Sequence, residues 1–115
     1  MARYLLFLRE DSSSAPQFSP EELQAILEKY QSWSRRMRAA GKVLQGEKLR
    51  DGEGRVLRQV ASKAVVTDGP FVETKEVVGG YFMVDAKDYQ EALAIASECP
   101  HMEFGSIEVR EIEPT

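Results

Sequence analysis

The segment of residues 67–85 constrains the fold most strongly, because it joins a rigid turn to a strand that two glycines open. Pro70 fixes its own φ and lacks a backbone donor, and it moves Gly69 away from helical angles. The Asp68 side chain can accept hydrogen bonds from amides later in the turn. We therefore predict a stiff corner with a carboxylate at its entrance and Phe71 as an apolar anchor. The alternative is an ordinary loop.

Length and composition favour a single globular domain over residues 1–115, with 43% hydrophobic and 30% charged residues. The net charge of −4 argues against nucleic acid as a partner. Cys99 is the single cysteine, which excludes an intrachain disulfide and favours the cytoplasm. Cys99 and His101 are too few for a Cys/His metal site, and we predict no metal and no cofactor. No long apolar run follows the first residues, so we expect neither a signal peptide nor contact with a membrane.

Two helices are predicted. The first is capped by Ser19, begins at Pro20, gains a capping box from Glu22 and ends at Gly41. Its apolar stripe contains Leu23, Ile26, Leu27, Tyr30, Trp33, Met37 and Ala40. The second helix is predicted to start at a cap on Asp85 and to stop at Pro100. Its stripe contains Tyr89, Ala92, Leu93, Ala96 and Cys99.

Short apolar segments predict the strands. The predicted strands cover residues 3–9, 43–49, 56–58, 63–67, 77–85 and 106–112. The glycine-rich residues 50–55 predict a hairpin turn between the second and third strands. The resulting order is strand, helix, hairpin strands, strand, helix, strand. This order predicts an α+β, ferredoxin-like fold in which two helices cover one face of a mainly antiparallel sheet.

The strands at residues 3–9 and 77–85 carry apolar side chains on both sides. Two helices cover only one face of a sheet, so the second face requires another partner. We therefore predict a homodimer in which the uncovered sheet faces meet.

The motifs of the central segment resemble those of one known family. Residues 66–76 (VTDGPFVETKE), the GGY at 79–81, the ECP at 98–100 and the IEVR at 107–110 resemble the DGPF-type members of the YCII-related family. This resemblance implies a dimeric α+β barrel with a cavity between sheet and helices. In some relatives a His–Asp pair has been suggested as the active site, and one relative is a dehydrochlorinase of chlorinated hydroxyquinols. Some DGPF proteins are similar to domains linked to extracytoplasmic-function sigma factors.

Asp68 is the residue that matches the acidic position of the motif, while the first predicted strand contains no histidine. A carboxylate beside a stiff turn, partly shielded by Phe71 and Tyr81, can act as an acid or a base. Lys75 can orient a small polar ligand, or it can belong to a solvated charge cluster. His101 is the second candidate for proton transfer, and its alternative is a surface or capping role.

Gly79 and Gly80 stand where a strand disfavours glycine. They indicate either a β-bulge or a backbone that a ligand approaches closely. Together with Tyr81, Phe71 and Lys75, they form the predicted ligand site for a small molecule.

Two functions from different classes follow from these features. The first is a small enzyme or ligand-binding protein with a pocket around Asp68, Gly80 and Tyr81. The second is a non-catalytic dimeric interaction module linked to transcriptional regulation. The absence of a clear nucleophile–base pair or metal cluster weakens the first function. The lack of a basic stripe weakens direct DNA binding but not protein binding. Of the two, we favour the pocket.

Overall fold

The computed structural model describes residues 1–11, 18–69 and 76–115. Within these ranges it contains two α-helices, one short 3₁₀ helix and six strands. The strands are β1 (Ala2–Asp11), β2 (Val43–Lys48), β3 (Arg55–Val60), β4 (Lys63–Asp68), β5 (Glu76–Ala86) and β6 (Ser106–Glu111), and the helices are α1 (Pro20–Ala39), α2 (Tyr89–Ser97) and the 3₁₀ helix Pro100–Glu103.

Four strands form one antiparallel sheet in the order β2–β5–β1–β6. The two central strands, β1 and β5, pair along nearly their whole length, with Leu6 opposite Phe82 and Phe7 opposite Tyr81. Both helices pack on one face of this sheet, which confirms the predicted α+β, ferredoxin-like class. β3 and β4 pair with each other in a separate two-stranded sheet.

The core lies between the helices and the sheet because alternate residues of β1 and β5 point toward the helices. The Trp33 and Phe82 rings pack in a T-shaped arrangement, with ring centroids 5.0 Å apart. Small side chains on α2 allow that helix to approach the sheet closely. The buried apolar residues include Tyr4, Leu6, Leu8, Trp33, Met37, Val43, Phe82, Val84, Ala86, Ala92, Ile95, Ala96 and Cys99.

The start and end of α1 are as predicted. The Ser19 hydroxyl accepts from the Glu22 amide, while the Glu22 carboxylate accepts from the Ser19 amide. Gly41 follows the helix in the left-handed region at φ +73°. The predicted apolar stripe was too wide, however, because Leu23 and Leu27 are about half exposed. They lie on the flank of α1 and not on its inner face.

The predicted cap of the second helix was three residues early. Asp88, not Asp85, caps α2, and its carboxylate accepts from the amide of Glu91. Asp85 instead belongs to β5, where its amide donates to the carbonyl of Lys42. The strand therefore continues to Ala86 before the chain turns.

The predicted hairpin at residues 50–55 was also misplaced. β2 pairs with β5, so the glycine-rich connection joins two different sheets. The tight turn lies between β3 and β4, at Ala61 (φ 50°) and Ser62 (φ 67°). Two consecutive residues with positive φ are typical of a type I′ turn. Alanine and serine are not residues that predict such a turn.

Candidate functional site

Asp68, the predicted acid or base, lies at the end of β4. Its register partner is Arg55, and the Arg55 Nε lies 3.6 Å from a carboxylate oxygen of Asp68. The Asp68 side chain is 94% exposed. The described residues therefore leave this carboxylate open to solvent, and the predicted shielding by Phe71 stays a prediction. Phe71 and Lys75 lie outside the described residues.

The two glycines of β5 have separate structural roles. The register of β5 against β1 shifts between Val78 and Gly80, so Gly79 is the extra residue of a bulge. A Cβ on Gly79 would lie against the Glu10 carboxylate. At Gly80 a Cβ would stand 2.8 Å from the backbone oxygen of Glu47 on the neighbouring strand. The bulge alternative is therefore found at Gly79, whereas the group that approaches Gly80 is the β2 backbone of the same chain, and the ligand alternative stays a prediction.

Tyr81 lies on the sheet face that carries no helix, which we call the open face. Its neighbours in the register are Phe7 on β1 and Glu47 on β2. Leu5 and Met83 form the next pair along the same face, and all four central side chains are half-buried. The open face therefore has an apolar centre, and Gln45 adds an amide that donates to the Met83 sulfur at 3.8 Å.

An ion pair borders this apolar centre. The Arg9 guanidinium donates to a carboxylate oxygen of Glu108 on β6, with the Nε–Oε1 distance at 2.9 Å. Both side chains are about one-third exposed. This pair joins β1 to the edge strand β6 on the open face.

His101 lies on the opposite, helix-covered side of the sheet and is only 4% exposed. Its Nε2 is 2.8 Å from the Arg9 carbonyl oxygen, which can only accept, so Nε2 carries the proton. Nδ1 then accepts from the Tyr30 hydroxyl at 3.0 Å. The alternative of a surface histidine was therefore wrong. The ring instead connects α1 and the 3₁₀ helix to β1.

Gly105 and Cys99 lie close to the buried His101. A Cβ on Gly105 would lie 2.0 Å from the Arg9 carbonyl oxygen and 3.0 Å from His101 Nε2, so only glycine allows this contact. Burial is the main cause that raises the pKa of Tyr30 well above its usual value. Burial likewise raises the pKa of the Cys99 thiol to about 11, which keeps the sulfur protonated and poorly nucleophilic at neutral pH.

The structure thus distributes the predicted site residues over three places. Asp68 is on the two-stranded sheet, Tyr81 is on the open face, and His101 is in the helix-covered layer. Sequence reasoning missed Arg9, Glu108 and Gly105. Arg9 and Glu108 lie 99 positions apart in the sequence, and no local pattern signals their pairing. Gly105 did carry a signal, since it is a glycine directly before a strand.

Among residues 1–11, 18–69 and 76–115, no group of three or more histidine, cysteine or acidic residues is arranged to hold a metal ion. No helix in those ranges is both long enough and apolar enough to cross a membrane.

Comparison with known proteins gives three findings. The YCII-related domain matches residues 2–115. The uncharacterized protein R00369 of Rhizobium meliloti (strain 1021) is 31% identical over 110 residues, which cover 93% of this chain and 89% of that protein. A solved structure of 5-chloro-2-hydroxyhydroquinone dehydrochlorinase (TftG) from Burkholderia phenoliruptrix AC1100, in complex with 2,5-dihydroxybenzoquinone, has 16% identity and a TM-score of 0.46. The structural match covers 96% of this chain and 93% of the dehydrochlorinase chain.

Proposed function

Because the chain belongs to the YCII-related domain family, we propose that it is a DGPF-type member that binds a small molecule as a cytoplasmic homodimer. The open faces of two protomers meet, and the ligand lies beside the turn at Asp68 and Gly69. Asp68 is the proposed acid or base, and Tyr81 contributes an aromatic wall. Whether the bound molecule is also converted depends on the role of Asp68.

The apolar centre of the open face is the observation that carries this proposal. Leu5, Phe7, Tyr81 and Met83 are half-buried on two adjacent central strands, with no helix above them. The Arg9–Glu108 pair supplies a polar border. An apolar centre with a polar border is typical of an interface between identical subunits, in which the same surface occurs on both sides.

The exposure of Asp68 supports a site that is completed between protomers. A carboxylate that is 94% exposed is open to bulk water in one protomer. Acid or base catalysis is more effective where water is excluded. We therefore assign the missing cover of Asp68 to the second copy.

Light scattering tests the dimer. We expect a mass near twice 13.0 kDa at micromolar concentration. Phe7→Lys, which places a charge in the centre of the open face, should yield a monomer. The control Leu93→Lys, at a residue 54% exposed on α2, should remain dimeric. A wild-type protein that is monomeric throughout would contradict the proposal.

Thermal melts with a panel of hydroxylated benzoic acids test the ligand site. The free energy of unfolding of Asp68→Asn should lie within about 0.5 kcal/mol of the wild-type value, because substitutions at exposed positions rarely cost more. It should nevertheless lose the ligand-induced shift that the wild type shows. A variant as responsive as the wild type would remove Asp68 from the proposed site.

The second candidate function is a non-catalytic dimeric module that acts through a protein partner in transcriptional regulation. The separation of the β3–β4 sheet from the four-stranded sheet favours it, because an element that protrudes from the body is suited to contact another protein. A dimer whose melting temperature no acid of the panel shifts would support this function over the first.

A further inference from the structure

The β3–β4 hairpin stands apart from the rest of the protomer. Its two strands pair with each other along residues 55–68, and no other described element packs extensively on either strand. At its base the Gly69 amide donates to the Gly54 carbonyl at 2.9 Å. The radius of gyration is 16.1 Å, whereas a compact domain of this length has about 13 Å.

The hairpin exposes apolar side chains on both of its faces. Leu57 and Val66 are opposite each other in the register, so they share one face, and they are 69% and 61% exposed. Val65 and Val60 lie on the other face and are 39% and 56% exposed. β-Branched and leucine side chains suit a strand that another layer covers. Among the described elements, none forms such a layer over the hairpin.

An isolated two-stranded hairpin is marginally stable in water. A contact that covers the exposed apolar residues on its two faces would therefore stabilise this hairpin. We propose that the β3–β4 hairpin is an arm that packs on a second copy of this chain and closes the edge of the dimer. This inference rests on the proposed homodimer and adds a second, separate contact to it.

Charge complementarity identifies the second copy as the occupant. The two strands of the hairpin carry three cationic side chains and one anionic side chain, a net charge of +2. Since the whole chain carries −4, the remainder carries −6. A cationic arm is therefore attracted to the anionic body of an identical chain. Two-fold symmetry forms this contact twice in each dimer.

The arm also explains the position of the candidate carboxylate. Asp68 is the last residue of β4, at the base of the hairpin, and its described charged partner is Arg55 on the adjacent strand. When the arm packs on a second copy, that copy lies next to Asp68. The proposed site would then be incomplete in a single protomer.

The dimer dissociation constant, measured by sedimentation, tests the arm. The double variant Leu57→Ser/Val66→Ser should raise the Kd at least about a hundredfold, because four apolar side chains leave the interface of each dimer. The matched control Leu23→Ser/Leu27→Ser removes two leucines of similar exposure from α1. It should change the Kd less than about threefold, a ratio within ordinary surface-mutation effects. The fluorescence of Trp33, which is buried in the core, reports whether each variant keeps its body folded.

A charge variant provides the second measurement. Lys63→Glu reverses a charge on the arm without removing apolar surface, and it should weaken the dimer and reduce the dependence of its Kd on NaCl. Two results would overturn the proposal that the arm packs on the second copy. In the first, the hairpin and control variants shift the Kd equally. In the second, the hairpin variant keeps the wild-type Kd. In both of these results the wild-type protein is still a dimer. A monomeric wild type would instead overturn the dimer itself, so the two failures are distinguishable.

Discussion

The four-stranded sheet and the β3–β4 hairpin use similar strand residues with opposite results. Leu6 on β1 is fully buried because α1 and α2 cover its side of the sheet, whereas Leu57 on β3 is 69% exposed. An apolar side chain stabilises a strand only where a second layer removes it from water. The comparison therefore shows that the body covers its own apolar strand residues, whereas those of the hairpin stay exposed among the described residues.

The largest expected effect concerns Gly105, in the body. Gly105→Ala places a methyl group about where the Arg9 carbonyl oxygen stands, so the strand and the 3₁₀ helix must separate. We expect a loss of about 3 kcal/mol in the free energy of unfolding, measured in urea. The control is Gly52→Ala in the connection to the hairpin. A methyl group on Gly52 would meet open space. This variant should cost only about 1 kcal/mol, because an alanine is strained at a φ of +70°.

Equal losses of unfolding free energy in Gly105→Ala and Gly52→Ala would contradict the difference that we draw between the body and the hairpin region. They would show that the contact between His101, Gly105 and Arg9 contributes no more than an exposed turn. The body would then lack the tight contact that we assign to it.

A smaller effect is expected from the buried Cys99. Its pKa is raised to about 11 by burial, whereas an unfolded chain ionises this thiol near 9. Above pH 9 the unfolded state therefore binds fewer protons than the folded state, and stability falls as the pH rises. The contribution is complete below pH 9, and roughly 1 to 2 kcal/mol of it is lost by pH 10.

The measurement is a series of urea unfolding curves between pH 8 and pH 10. Cys99→Ala removes the thiol, so its stability should decline less steeply over this range than that of the wild type. Parallel declines in the two proteins would show that ionisation of Cys99 does not limit the stability of the body.

Local patterns predicted the body better than the hairpin. Ser19 and Glu22 determine where α1 begins, because the capping box needs only residues three positions apart. The pairing of β2 with β5 was not predicted, since strand partners are chosen by contacts distant in the sequence. The turn at Ala61 and Ser62 was missed because neither residue is typical of positive φ.

The candidate site was predicted less well for a related reason. Asp68 and the two glycines of β5 were identified from residue type, but exposure depends on the fold. The sequence contained no indication that Asp68 would be 94% exposed. His101 could be identified as titratable, whereas its bonds to Tyr30 and to the Arg9 carbonyl depend on packing between distant elements.

The smallest expected effect concerns the turn of the hairpin and sharpens the comparison. Ala61→Asn with Ser62→Gly supplies the residues that a type I′ turn favours, because Asn and Gly adopt positive φ at lower cost. We expect about 1 kcal/mol of added local stability, seen as a roughly fivefold increase in the amide-exchange protection of β3 and β4. The experiment is carried out in the Phe7→Lys background, where the chain is expected to be monomeric. If the hairpin is independent of the body, the urea midpoint of the body should not change. A midpoint that rises with the hairpin protection would show that the two regions unfold together, and the hairpin would then be part of the body.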